Sequence, residues 1–210
     1  MKTLYLVRHG KSEANDKRIY QRKETSLSKE GREQAYILQK RFEHIPIDIL
    51  YSSSLKRAQE TAEIINEKLK LSIHITELVN EWGKPSSLLD ISIDGKKAKE
   101  FHNKLVLHKD DLYWKWQDEE SIGELRDRIV QFLEEMKKGS KDNILVVMHS
   151  LPLKMMLSVV LFGPESLPFG DVESFDVRTT NTGITVFHLE DGEENWKLVT
   201  WNDYAHLGEL

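Results

Sequence analysis

The sequence predicts an α/β fold, a three-layer α/β/α sandwich with a mostly parallel central sheet, on three observations. Short apolar runs alternate with longer segments of helical periodicity. Two of those runs, LYLV at residues 4–7 and ILVVM at 144–148, are apolar throughout, as strands covered on both faces are. Each is followed within two residues by a histidine, where an open sheet of this class presents its chemistry.

Residues 3–7, TLYLV, read as a buried central strand that delivers the loop Arg8-His9-Gly10. From Ser28, a natural N-cap, Ala35, Leu38, Phe42 and Ile45 keep the i, i+3, i+7, i+10 spacing of a helix. A strand over 47–51 and the serines 52–54 lead to a second helix, on which Leu55, Ala58, Ala62, Ile65 and Leu69 share a face. Ser121 and Glu124 form an S-x-x-E capping box ahead of Leu125, Ile129, Phe132 and Met136, and Gly139 ends that helix. After ILVVM and His149, Ser150 and Pro152 suit the first turn of a largely buried helix through residue 162. Runs at 184–189 and 196–201 flank a DGEEN turn and predict a C-terminal hairpin. Residues 83–120 break the alternation, with Pro85, Gly95, several lysines and the aromatics Tyr113, Trp114 and Trp116. They are expected to form a helical cap inserted over one edge of the sheet, within a single domain spanning 1–210.

Thirty Lys plus Arg against 35 Asp plus Glu give a net charge of −5, which argues against a surface built to coat nucleic acid or an anionic membrane and leaves small anions as ligands. The chain has no cysteine, which excludes disulfides, thiolate metal sites and a cysteine nucleophile. His44, His74, His102, His108, His188 and His206 show no metal-ligand spacing, so neither metal nor cofactor is expected. No apolar run approaches the roughly 20 residues of a membrane span, and Arg8 and His9 interrupt the first one too early for a signal-peptide core. A soluble, cytoplasmic protein is the expectation.

Two histidines at strand ends can converge although 140 positions separate His9 from His149. Arg57 falls in the first turn of the helix after SSSL, where helix N-terminus and guanidinium fork both favour phosphate oxygens. The combined signature is cationic and aimed at phosphate.

Five blocks in order, RHGKSEAN (8–15), LSKEGREQA (27–35), YSSSLKRAQETAEII (51–65), NEWGKP (80–85) and VVMHS (146–150), followed by NTGIT (181–185), resemble the histidine phosphatase superfamily, the phosphoglycerate mutase-like proteins. The resemblance implies that His9 takes the phosphoryl group on a ring nitrogen and that water then hydrolyses the phosphohistidine. It implies that Arg8, Arg57 and His149 neutralise the phosphate, that Asn15 contacts it through its amide, and that Glu81 protonates the leaving group, with Glu77 the alternative. Ser150 stands where many relatives have glycine, and its hydroxyl would touch phosphate or crowd it; Met148 and Lys11 also depart from the usual pattern without removing a catalytic group. The implied function is a metal-independent phosphatase of the histidine acid phosphatase type acting on a small phosphorylated substrate; the cap, with Tyr113, Trp114 and Trp116 as an aromatic wall, and the Arg18 to Lys23 loop are expected to select it. A phosphoglycerate-type mutase and a phospholigand-binding module with little turnover are the competing readings.

Overall fold

The computed structural model describes residues 1–165 and 177–208. In chain order these hold β1 (Lys2–Arg8), α1 (Glu13–Lys17), α2 (Lys29–Phe42), β2 (Ile49–Ser53), α3 (Lys56–Leu69), β3 (Ile73–Thr76), α4 (Lys96–Leu107), α5 (Ile122–Lys138), β4 (Asn143–Met148), α6 (Ser150–Phe162), β5 (Ile184–Leu189) and β6 (Lys197–Asp203). One six-stranded sheet runs in the order β3-β2-β4-β1-β5-β6. The pairs β3-β2, β2-β4 and β4-β1 are parallel; β1-β5 and β5-β6 are antiparallel and include the expected hairpin.

The period of two along a strand divides the central apolar runs between the two faces. Leu4, Leu6, Ile144, Val146 and Met148 pack with Leu125, Ile129 and Phe132 of α5 and Leu153 and Met156 of α6. Val7, Leu145 and Val147 face the other way, against Leu38 and Phe42 of α2 and Ala58, Ala62 and Ile65 of α3. Both faces are therefore covered, and this is why the runs show no polar alternation. The long helix after β1, α2, lies on one face and α6, which follows β4, on the other. That makes the gap between β1 and β4 a topological switch point, the place where an open α/β sheet forms a crevice at its carboxyl ends.

The caps form as the sequence predicts. Ser28 Oγ accepts from Gly31 N at 3.1 Å, and Ser121 Oγ accepts from Glu124 N at 3.1 Å while Glu124 Oε2 accepts from Ser121 N at 2.8 Å. Two elements carry no clear sequence signal. The helix α1 has only five residues, closed by a capping box between Ser12 and Asn15, and β3 is a four-residue edge strand. Residues 83–120 contain a single-turn 3-10 helix at Ser86–Leu88 and one α-helix, α4. Leu88 and Phe101 of this segment join the core cluster under α5. Among the described residues no helix is long and apolar enough to cross a membrane.

Candidate active site

The parallel register of β1 and β4 pairs Arg8 with Met148, so the next residues, His9 and His149, emerge side by side. Their rings lie 4.9 Å apart, and both are buried. The backbone between them is fixed from several directions. His9 N donates to Met148 O at 2.9 Å, Asn181 Nδ2 donates to His9 O at 2.8 Å, and Gly10 N donates to Thr61 Oγ1 at 3.1 Å. Gly10 is required by close approach, because a Cβ there would come within 2.4 Å of Gly31 O.

His9 Nδ1 lies 2.6 Å from Gly10 O, a carbonyl that can only accept, so Nδ1 carries the proton. Nε2 then holds the lone pair, and Arg57 Nε donates to it at 3.3 Å. Burial, with Arg57 and Arg8 close by, holds the His9 imidazole well below its ordinary pKa, partly opposed by the bond to Gly10 O. His149 is held low in the same way by burial and the same arginines. Its Nε2 sits 2.8 Å from Ser53 Oγ, whose hydroxyl donates to Asn80 Oδ1 at 2.7 Å. That chain places the ring proton on Nε2 and leaves Nδ1 as the free acceptor.

Arg8 Nη1 donates to Thr179 O at 2.5 Å, and Arg57 Nη1 donates to Arg22 O at 3.2 Å. Burial lowers both guanidinium pKa values, that of Arg57 to about 10, and the nearby charge of Glu81 partly offsets this. Two buried atoms here, Arg8 Nε and His149 Nδ1, have no partner among the described residues. Buried polar atoms are nearly always satisfied, so unpartnered ones around a reactive imidazole point to a ligand that brings its own oxygens.

Glu81 sits at the N-terminus of α6, where its Oε1 accepts from Trp82 N at 3.0 Å and from Leu151 N at 3.3 Å. It is half-buried, whereas Glu77 is exposed and interacts with neither site arginine. Both line a cavity of about 830 Å³, together with Asn15, Arg57, Tyr20, Trp82 and Lys84. Asn15 Oδ1 accepts from Ser12 N at 3.0 Å, which leaves its amide nitrogen as the end available to a ligand. Among the described residues, no group of three or more His, Asp or Glu side chains could hold a metal ion.

The profile of the histidine phosphatase superfamily (branch 1) matches residues 4–204. The chain belongs to that superfamily. It is 30% identical to phosphoserine phosphatase 1 of Hydrogenobacter thermophilus over all of this chain and 96% of that protein. It is 28% identical to a 2,3-bisphosphoglycerate-dependent phosphoglycerate mutase of Thermoplasma acidophilum, over 91% of this chain and 90% of that one. The crystal structure of Entamoeba histolytica phosphoserine phosphatase in complex with 3-phosphoglyceric acid superposes with a TM-score of 0.79 at 25% identity, over 99% of this chain and 100% of that one. The chemistry of this histidine phosphatase is accordingly hydrolysis of a phosphomonoester through a phosphohistidine.

Of the seven predicted site residues, Arg8, His9, Arg57 and His149 converge at the strand ends, and Asn15 and Glu81 line the cavity beside them. Ser150 does not line it: its Oγ lies 2.7 Å from Thr179 Oγ1, in the residue whose carbonyl holds Arg8. The aromatic wall also differs from expectation. Trp114 stacks on His108 with ring centroids 4.2 Å apart, Trp116 stacks on Phe101 at 6.0 Å, and neither lines the cavity. Tyr20 and Trp82 supply its aromatic surface instead. Sequence reasoning also passed over the roles of Ser53, Asn181 and Thr179, whose only signals were their places in SSS, at the head of NTGIT and just before it.

Proposed function

We propose that this histidine phosphatase hydrolyses small phosphorylated metabolites, with His9 Nε2 as the nucleophile. The observation that carries this reading is the pair of orphaned buried atoms, Arg8 Nε and His149 Nδ1, flanking a neutral imidazole whose lone pair points at Arg57. An entering phosphate takes the Arg57 donor away from Nε2, bonds Arg8 Nε, and favours proton uptake at His149 Nδ1 by bringing negative charge beside it. Nε2 attacks phosphorus as the bond to the ester oxygen breaks, and the Glu81 carboxyl group gives its proton to the departing oxygen. Glu81, now ionised, removes a proton from water. The water oxygen bonds phosphorus, the P–Nε2 bond returns its electrons to the ring, and inorganic phosphate leaves. The Nδ1–H bond to Gly10 O orients the ring throughout. Because His9 stays neutral into acidic pH, the acid phosphatase type of enzyme fits this site. Selection of the organic portion falls to the cavity wall built by the 18–23 loop and the 83–120 segment, which act as the cap of a single domain.

The test is rapid quench with a 32P-labelled phosphomonoester. Acid-labile label should appear within one turnover, vanish in His9→Ala, and leave as inorganic phosphate rather than on a second organic acceptor. Label persisting in His9→Ala would remove His9 from the role, and transfer to an added hydroxy acid would mark a mutase.

A further inference from the structure

Residues 179–183, which lead into β5, form a bracket around the end of β1. Arg8 Nη1 donates to Thr179 O at 2.5 Å, Asn181 Nδ2 donates to His9 O at 2.8 Å, Thr182 N donates to Arg8 O at 2.8 Å, and Arg8 N donates to Gly183 O at 3.3 Å. Four of the five residues thus bond Arg8 or His9 directly. The fifth, Thr180, is instead held by one side chain of β6: Thr180 N donates to Asn202 Oδ1 at 2.7 Å, and Asn202 Nδ2 donates to Thr180 Oγ1 at 3.2 Å.

The backbone is distorted to place that side chain. Ile184 pairs with Asp203 and Val186 with Thr200, so Trp201 and Asn202 together oppose Thr185, a β-bulge beside the site. Within it Asn202 has a φ of 49°, in the left-handed region that asparagine tolerates better than most residues with a Cβ. The residue is buried, and its N–H donates to Thr185 Oγ1 at 3.2 Å. Such a conformation persists where the surroundings impose it, and here it delivers a two-bond clamp to the middle of the bracket. The bracket in turn decides where Arg8 points. Among the described residues the guanidinium bonds only Thr179 O, and Arg8 Nε is buried without a partner. A shift of the Thr179 carbonyl would therefore re-aim the N–H that an entering phosphate meets.

We propose that Asn202 is a positioning residue for phosphate binding: by clamping Thr180 it holds the Thr179 carbonyl, and through it the Arg8 guanidinium, in the orientation that meets the phosphate. This rests on the phosphatase reading above, in which Arg8 bonds the phosphate, and the test separates the two. Asn202→Gly leaves the left-handed backbone accessible and deletes both clamp bonds. On p-nitrophenyl phosphate, well below Tm, it should lower kcat/KM on the order of ten- to a hundredfold and weaken inhibition by inorganic phosphate in step. Asn202→Asp, which keeps the acceptor for Thr180 N, should lose much less. A double-mutant cycle with Arg8→Ala supplies the readout that a purely structural role would not move. Once Arg8 is gone, Asn202→Gly should change kcat/KM by less than about threefold. An equal fold-loss in both backgrounds, or a lower Tm with kcat/KM and phosphate inhibition unchanged, would overturn the proposal. Thr180→Val, which removes the far end of the longer bond, should follow the same cycle with a smaller loss, and it decides the matter if Asn202→Gly does not fold. Undiminished kcat/KM in Arg8→Ala would count against Arg8 as a phosphate ligand, whereas additivity with an impaired Arg8→Ala counts against Asn202 alone.

Discussion

Burying His9 and His149 beside Arg8 and Arg57 makes both imidazoles hard to protonate, and this has a consequence for stability as well as for catalysis. Both pKa values lie well below 6.5 in the folded chain and return to about 6.5 when it unfolds. Between those limits the unfolded state binds more protons, so stability rises with pH. The stabilising contribution is complete above about pH 6.5 and is lost as pH falls towards the folded values. The melting temperature should therefore drop on acidification from pH 7 to pH 5, and the drop should be shallower in His149→Asn; an equal slope in both proteins would mean that the buried ring is not what titrates. The same argument places the protonation of His9 well below pH 6.5 in a two-dimensional NMR titration of the imidazoles. At Glu81, replacement by glutamine should slow hydrolysis of an alkyl phosphomonoester by about 10²–10⁴ and of p-nitrophenyl phosphate much less, since a phenolate needs little proton assistance. Comparable losses on both would take the acid role from Glu81. These ionisable residues were legible in the sequence because their types and strand-end positions are local facts. The groups that set their tautomers and hold their backbone were not. Gly10 acts through a backbone carbonyl, and Ser53 and Asn181 through side chains that reach their histidines across long sequence separations, so nothing in their own residue types announces it.

At the scale of elements, helices with a capping residue and a complete apolar face were readable to within a few residues. Those of α2, α3 and α5 begin within about a residue of where Ser28, Leu55 and Ser121 place them. Helix α1 was not readable, since five residues cannot display a period, and β3 pairs on one side only and buries too little to show a pattern. The join between the first strand and the second helix depends on two glycines facing each other. A Cβ on Gly31 would sit 1.9 Å from Lys11 O, which is backbone and cannot give way as a flexible side chain would. Gly31→Ala should thus push the catalytic loop off the start of α2 and cost more than about 2 kcal/mol despite alanine's better helix propensity. Ser121→Ala, which removes one side of a capping box, should cost about 1 kcal/mol. For a chain of 210 residues the second change corresponds to a Tm shift of about 2–4 °C, and scanning calorimetry on the two variants should rank them in this order. A Gly31→Ala variant as stable as the wild type would show that the loop and helix can separate without cost.

At the scale of the whole molecule, the alternation of strands and helices foretold the layers, while strand order depended on which helix took which face. Apolar runs without polar alternation identify β1 and β4 as central, yet only the packing reveals that α2 and α6 lie on opposite faces and open the crevice between them. The 83–120 segment was legible as an exception and not as a geometry. Its tryptophans drew attention as a substrate wall because residue type alone cannot tell a ring facing a cavity from one facing a core. The structure arranges Trp82, Phe101 and Trp116 in sequence, with centroids 5.9 Å and 6.0 Å apart, so Trp116 ties the end of the segment to α4 and, through Phe101, to the ring beneath Lys84. Lys104 lies 5.8 Å from the outer ring of that stack. Removing Trp116 takes away a packed ring next to the buried Phe101, a loss on the order of 2–4 kcal/mol given its partial exposure. Trp116→Ala should then lower Tm clearly and reduce kcat/KM for an alkyl phosphomonoester and for p-nitrophenyl phosphate in similar proportion, because it disturbs the stack without touching either substrate. Trp82→Leu should do the reverse, with the larger loss on a substrate whose organic portion reaches the cavity wall that Trp82 helps to build. If Trp116→Ala instead left Tm intact and penalised an alkyl phosphomonoester selectively, the ring would have to reach the substrate, and its role as an anchor would be wrong.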